Sequence, residues 1–498
     1  MTKVKRFIYN GTVLTFVGFA MRGVALFLGA YISSAIGAEG IGLQGLIATV
    51  YSFAVTFATS GASLSVTRLV AASIGEGRGS DRILRGAFLY ALGFGLLATA
   101  VLFLFSDMIG VMVLGDTRIA AALRILSLSL LPIALSGVIS GYFVAVRRVA
   151  KNAAVQICSQ IMRVVLTVFL LGRASLQSTA DAILALAVGS VVTESVCFLI
   201  AFFEYVIDRI RHRGVRESGC GIGDVSSMAL PLAFSAYVRS FLLSVEHSLI
   251  PRRLIKSGNS KEEALASYGY LGGMALPIIL FPMTPLSSFS GLLVPEFAES
   301  EGSGQHARME RMARLTVECA LAYATVVGVF IFAFSEELGY VIYGTYEAGR
   351  YIGLLAPVIP IMYLDHVTDS MLKGIGEQVY SMWVNIADSL LSVFLVFILI
   401  PIFDISGYAI VIIAMEAFNF SLSYLRLKKR IRFSFNPWTA FLLPLASSAA
   451  AITLAKGAFI FVGRVSTAFW LIMQILFGLC VFFAIITAVK MLKYIRAK

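Results

Sequence analysis

Windows of about twenty consecutive apolar residues, the length needed to cross a hydrocarbon core roughly 30 Å thick, recur along this chain from one end to the other. Fourteen can be counted, at about 8–36, 42–74, 84–106, 120–146, 152–172, 180–206, 226–251, 265–293, 311–335, 351–373, 380–402, 405–427, 437–461 and 466–490. They are continuously apolar and do not alternate with period two, so helices rather than barrel strands must carry them. Composition agrees: 14% of the residues are charged, where a soluble domain carries about a quarter. The expected fold is an all-α polytopic membrane protein. The first window follows Lys3, Lys5 and Arg6 but is too long for a cleavable signal, whose apolar region runs about 7–15 residues, and it is read as a retained helix.

Motifs for chemistry are absent. The five cysteines form no close pair, the four histidines are scattered, and no HExxH, GxxxxGK[ST] or GxSxG arrangement occurs. The expectation is therefore a non-enzyme with no cofactor and no metal site. A net charge of +12 would suit nucleic acid, but its distribution points elsewhere. With the N-terminus on the cytoplasmic side, the 40 Lys and Arg residues divide into 26 cytoplasmic, 10 external and 4 inside spans, the positive-inside pattern. The partners of the cytoplasmic bases, such as the run Arg426, Lys428, Lys429, Arg430 and Arg432, are anionic lipid head groups, not nucleic acid. One expected external loop breaks the rule with Arg252, Arg253, Lys256 and Lys261, partly balanced by Glu262 and Glu263.

The chain repeats weakly within itself. Arg22 in the first window is answered by Arg239 in the seventh, and Pro132 in the fourth by Pro360 in the tenth. Six helices per half put both halves the same way up, so the expected organisation is two parallel lobes around a central cavity. The lobes would be 1–215 and 216–432, followed by a helix pair at 433–498, with both termini cytoplasmic.

An arginine at a helix centre costs about 2.5–3.5 kcal/mol on insertion scales and needs a partner or a wet cavity. Arg22 lies on a stripe of small residues, Gly18, Ala25 and Gly29, and Arg68 on a stripe with Ser65 and Ala72, which turns both inward. Arg239 shares a helical face with Glu246, and the tenth to twelfth windows carry Asp365, Asp369, Asp388 and Glu416. Arg163 with Glu194 reads as a mutually satisfied pair, and Asp369 with Lys373 as an i, i+4 pair that can neutralise itself. No acid lies on the helices of Arg22 and Arg68, and several guanidinium forks together suit a diphosphate. Arg22, Arg68 and Arg239 are thus candidate anion-binding residues, and Glu246, Asp365, Asp369 and Asp388 candidate ion-coupling groups.

The stretches AEGIGLQGLIATVYSFAVTFATSGASLSVTRLVA, SGYFVAVRRVAKNAAVQICSQIMRVVLTVFL and LIPRRLIKSGNSKEEALASYGYLGG resemble the polysaccharide-flippase branch of the multidrug/oligosaccharidyl-lipid/polysaccharide superfamily, of the stage V sporulation protein B and lipid II flippase type. The resemblance implies alternating access in the bacterial plasma membrane. It implies a polyprenyl-diphosphate-linked glycan as substrate, carried from the inner to the outer leaflet, and cell-wall or polysaccharide synthesis enzymes as partners. It places Arg22, Arg68 and Arg239 in the substrate cavity and makes Arg252 and Arg253 an external basic pair that handles substrate. Two rival readings are weighed. A cation-coupled multidrug exporter of the same superfamily would want acids where Arg22 and Arg68 stand, and a membrane-embedded glycan polymerase or ligase would want a larger outer loop than this chain offers.

Overall fold

A computed structural model describes residues 3–75, 80–113, 116–146, 148–173, 178–211, 221–459 and 467–496. Among them every regular element is helical. In chain order the helices are α1 (Lys3–Thr59), α2 (Ala62–Gly75), α3 (Asp81–Met108), α4 (Thr117–Ser127), α5 (Leu130–Ala145), α6 (Val149–Arg173), α7 (Thr179–Arg211), α8 (Ile222–Lys256), α9 (Lys261–Tyr268), α10 (Leu276–Leu280), α11 (Thr284–Gly302), α12 (His306–Ala333), α13 (Ser335–Tyr343), α14 (Tyr346–Leu355), α15 (Ile359–Gly374), α16 (Gln378–Phe403), α17 (Ile405–Arg430), α18 (Leu443–Phe459) and α19 (Thr467–Arg496). Most of the charged linker expected before α8, with Cys220, lies outside the described residues.

Eleven helical stretches among the described residues are long and apolar enough to cross a membrane, or twelve if α4 and α5, bent by 42°, count as one span. That count, made over the described residues, does not decide the expected fourteen. The first two windows run on as one stretch, Gly18–Ile74. At 1.5 Å per residue the 57 residues of α1 would reach about 85 Å, far beyond one bilayer, and the chain turns at Gly37, whose φ of 68° is open to glycine. The 35 residues of α8 stand outside a count made over the described residues alone.

The chain forms two compact units, one of Met1–Ser34 with Arg253–Lys498 and one of Ala35–Arg252. In the second, α2 and α3 pack on α5, and α6 and α4 on α7. The α2–α5 approach is close because Gly141 has no side chain: a Cβ there would sit 2.4 Å from the Ser63 carbonyl oxygen, and Thr67 Oγ1 donates to the Gly141 carbonyl at 3.1 Å. In the first unit, α11 and α12 pack on α15, and α16 and α15 on α17, with α18 docked on α12 and paired with α19. Gly374 plays the same part there, its missing Cβ falling 3.0 Å from the Val294 carbonyl of α11.

The internal repeat is written in these lengths. Both α5 and α15 have 16 residues, and both α3 and α12 have 28. Ile359 follows Leu130, Gly374 follows Ala145 and Gln378 follows Val149 by the same 229 residues. Each of α5 and α15 is preceded by a short helix and a break, at Leu128–Ser129 and at Ala356–Val358.

The ends of these equivalent helices carry the same clasp with its charges exchanged. After α5, Arg148 and Lys151 reach the buried carboxylate of Asp208 near the end of α7; Lys151 Nζ lies 2.7 Å from it, and Tyr142 Oη donates at 2.8 Å. After α15 the acid sits in the turn: buried Glu377 accepts from Arg426 at 2.8 Å and from Arg430, both near the end of α17. Glu377 stands 229 residues after Arg148, and Arg426 stands 218 after Asp208. A buried charge demands its opposite, and either assignment of sign satisfies the same geometry.

Candidate functional site

In the first unit Arg22 meets a broken helix. The sequence Leu280-Phe281-Pro282-Met283 ends α10 in a 3₁₀ turn, where the Thr284 N–H turns to the Phe281 carbonyl and Pro285 has no N–H to offer. Carbonyls at the break therefore need side-chain donors. Tyr363 Oη donates to Ile279 O at 2.6 Å, Tyr323 Oη to Pro282 O at 2.6 Å, and Arg22 Nη1 to Leu280 O. Gly18, one turn before Arg22, lets α1 approach, since a Cβ there would fall 2.7 Å from Thr284 Cγ2. Arg22 is nonetheless exposed, and a guanidinium has five N–H donors, so one backbone carbonyl leaves most of its fork open. His366 of α15 lies within electrostatic reach of Arg22, Asp369 and Lys373.

The tenth-window acids divide. Asp369 pairs with Lys373 at 2.5 Å and accepts from Ser381 Oγ, the self-neutralised arrangement that its spacing allows. Asp365 of α15 and Asp388 of α16 instead lie within electrostatic reach of Glu416 of α17. Among the described residues no three His, Cys, Asp or Glu side chains approach as metal ligands. Glu416 was absent from the sequence-based set of coupling groups; its signal was being the sole acid of α17 with Asn419 beside it, but its partners are distant in sequence.

In the second unit Arg68 of α2 and Arg239 of α8 are exposed, and neither has an ion-pair or hydrogen-bond partner among the described residues. The elbow joining α1 to α2 positions both helices. Ser60 and Gly61 there have φ of 41° and 70°, buried Ser60 Oγ bonds Tyr90 Oη at 2.7 Å and also Tyr237 Oη, and α8 approaches until a Cβ on Gly61 would stand 2.9 Å from the Ala229 carbonyl. One turn beyond Tyr237, a cavity of about 250 Å³ is lined by Thr49 and Ser52 of α1 and by Ser240, Ser244 and His247 of α8. Glu246, next to His247 in the chain, is buried. By contrast Arg163 Nη2 pairs with Glu194 at 2.7 Å, as their placement predicted.

Of the basic pair expected on the outer side, Arg253 is tethered. The Arg253 guanidinium lies over the Phe397 ring, 3.1 Å from its centroid, and Arg252 is half-buried. The loop that follows is tied down through Asp404, which accepts from Asn259 Nδ2 at 2.6 Å and Ser257 Oγ at 3.3 Å. Glu263, expected to balance the bases, is engaged in a capping box with Ser260 at the start of α9.

The family described as polysaccharide biosynthesis protein matches residues 7–300, and the MatE family matches residues 256–398. Stage V sporulation protein B of Bacillus subtilis (strain 168) is 26% identical over 421 residues, covering 81% of this chain and 78% of that protein. Sporulation protein YkvU of the same organism is 20% identical over 401 residues, covering 80% and 88%. Among solved structures, lipid II flippase MurJ in an inward closed conformation superposes with a TM-score of 0.74 at 15% identity, over 96% of this chain and 98% of that one. An inward-facing multidrug resistance MATE family transporter of the MOP superfamily gives 0.69 at 16% identity, over 82% and 94%. The fold is thus that of these two polytopic membrane proteins.

Proposed function

We propose that this chain, which belongs to the polysaccharide biosynthesis protein family, moves a polyprenyl-diphosphate-linked sugar precursor from the inner to the outer leaflet by alternating access. The observation that carries this reading is the pair Arg68 and Arg239: guanidinium groups within helices of a membrane protein, exposed and with no ion-pair or hydrogen-bond partner among the described residues. A permanent cation kept in that state is matched by an anionic ligand. Arg22, with most of its donors open, is the third member of the set, and Arg252 and Arg253 receive or release the diphosphate at the outer face. The printed name of one solved structure with this fold, lipid II flippase MurJ, supports the same substrate class. The repeat supports halves of 1–215 and 216–432 with 433–498 appended, and the 26 to 10 division of Lys and Arg supports cytoplasmic termini in a bacterial plasma membrane.

The second reading, a cation-coupled multidrug exporter, is favoured by one observation, Asp365 and Asp388 lying within electrostatic reach of Glu416. In our account that trio couples a proton to the conformational cycle, together with buried Glu246, while the arginines hold the substrate. Native mass spectrometry of lipids that co-purify with the protein separates the two. A polyprenyl diphosphate retained by the wild type and lost from Arg68→Ala and Arg239→Ala is expected; wild-type protein that retains none, and binds a lipophilic cation instead, would refute the flippase reading.

A further inference from the structure

A second basic site lies outside the residues assigned to transport. At the start of α12, Ala307, Arg311 and Arg314 follow at intervals of four and three and so share a face. The segment leaving α17 is extended from Ile431, whose φ and ψ are −121° and 115°, so alternate residues point opposite ways. Ile431 and Phe433 are buried among Met309, Ala313, Leu427 and Ala440, which sends Arg432 and Ser434 outward. The two faces enclose a cavity of about 280 Å³ lined by Glu310, Arg311, Arg314, Arg432 and Ser434. The floor is held firmly: Phe433 meets Tyr424 edge-on at 6.0 Å, and the Asn436 N–H donates to Glu318 of α12 at 3.3 Å.

Bases around this cavity find acids. Arg308 pairs with Glu296 at 2.6 Å, and Arg426 and Arg430 share Glu377. Arg311, Arg314 and Arg432 have no ion-pair or hydrogen-bond partner among the described residues, and one carboxylate, Glu310, faces three guanidinium groups. Such a site is electrostatically incomplete without an anion, and the forks suit phosphate oxygens. Its position selects which phosphate. The apolar stretches His306–Ala333 and Trp438–Phe459, each long enough to span a membrane, both begin here, and Leu315, Trp438 and Leu442 in their first few turns are exposed. A tryptophan at the head of a span marks the headgroup level.

We infer that the Arg311–Arg314–Arg432 cavity binds the headgroup phosphate of an anionic glycerophospholipid, at a site separate from the transport arginines.

The test compares two double variants that each remove two positive charges. Arg311→Gln with Arg314→Gln empties the cavity of forks; Lys428→Gln with Lys429→Gln removes exposed bases at the end of α17. Binding of phosphatidylglycerol is read by native mass spectrometry and by thermal stabilisation in nanodiscs of phosphatidylcholine alone or with phosphatidylglycerol. The cavity variant is expected to lose about a hundredfold in affinity for the most tightly held lipid, as suits several charge-assisted hydrogen bonds, and most of the stabilisation. The lysine variant should change both by less than about threefold, because exposed charges are screened. Equal losses in the two variants would mean diffuse surface charge and would overturn the site. Stabilisation of the detergent-solubilised protein by inorganic pyrophosphate, matching that by phosphatidylglycerol, would assign the cavity to a soluble anion and overturn the lipid. Should the double variant misfold, Arg432→Gln alone, on the extended segment, must still weaken phosphatidylglycerol binding.

Discussion

Replacing Glu377 with Gln keeps the size of the side chain and removes its charge from a clasp that joins the α15–α16 turn to the end of α17. The carboxylate is 9% exposed, Arg426 30% and Arg430 57%. Arg426 donates twice to one oxygen, from Nε at 3.0 Å and Nη2 at 2.8 Å, and lies 4.9 Å from the centroid of the Tyr380 ring. Breaking a fully buried pair costs about 3–5 kcal/mol; the partial exposure of Arg426 reduces its share to about 2 kcal/mol. Arg430, more than half in solvent, adds less than about 1 kcal/mol. The expected loss for Glu377→Gln is therefore about 2–3 kcal/mol, measured by equilibrium unfolding in mixed micelles. Double-mutant cycles should give a coupling of about 2 kcal/mol with Arg426→Ala and below about 1 kcal/mol with Arg430→Ala. Acidity supplies an independent check. Burial alone would push the Glu377 carboxyl up, but the hydrogen bonds from Arg426 and Arg430 outweigh it and hold it below the usual glutamate range. Its stabilisation is thus fully present above the unfolded value near 4.3 and is lost as pH falls through the lower folded value. The gap between wild type and Glu377→Gln should stay constant from about pH 8 to 5 and close below about 4. A loss under about 0.5 kcal/mol, equal coupling to both arginines, or a gap that widens on acidification would refute the clasp; the first limit is the scatter of ordinary surface substitutions.

Three further outcomes follow from the same geometry. Arg68→Ala and Arg239→Ala should abolish transport while unfolding free energies stay within about 0.5 kcal/mol of wild type, and Lys at either position should restore activity only in part; variants that fail to fold would show a structural role instead. Gly141→Val places a Cβ against the Ser63 carbonyl and should destabilise by about 1–3 kcal/mol or more, so a neutral result in the unfolding assay contradicts the α2–α5 packing. A diphosphate lipid carries roughly two negative charges, worth about 2.3 kcal/mol each per 100 mV, so outward flipping in vesicles should rise with an inside-negative potential. A rate indifferent to potential and dependent on a proton gradient would move the driving force to Asp365, Asp388 and Glu416.

What the sequence made legible was what is local. Apolar windows, the i, i+4 pair Asp369–Lys373 and the small-residue stripe around Arg22 all depend on neighbours within a few turns, and periodicity reads them directly. One residue decides where the first long helical run folds: Gly37, with its positive φ. Interactions between remote segments stayed out of reach. Arg22 and Leu280 are 258 residues apart, and Glu377 and Arg426 are 49 apart. Nothing in either local sequence names its partner, and the break at Leu128–Ser129, unlike that at Pro357, lacks even a proline within it.

The central claim is that arginines inside the membrane carry a diphosphate lipid across it. Its most direct test is leaflet-resolved flipping of a fluorescent polyprenyl-diphosphate sugar in vesicles holding the purified protein, read with an impermeant quencher. The account predicts protein-dependent flipping by the wild type that vanishes in the folded Arg68→Ala, Arg239→Ala double variant. Wild-type protein that leaves this lipid in place while moving a lipophilic cation, or a double variant that flips as fast as wild type, would contradict it.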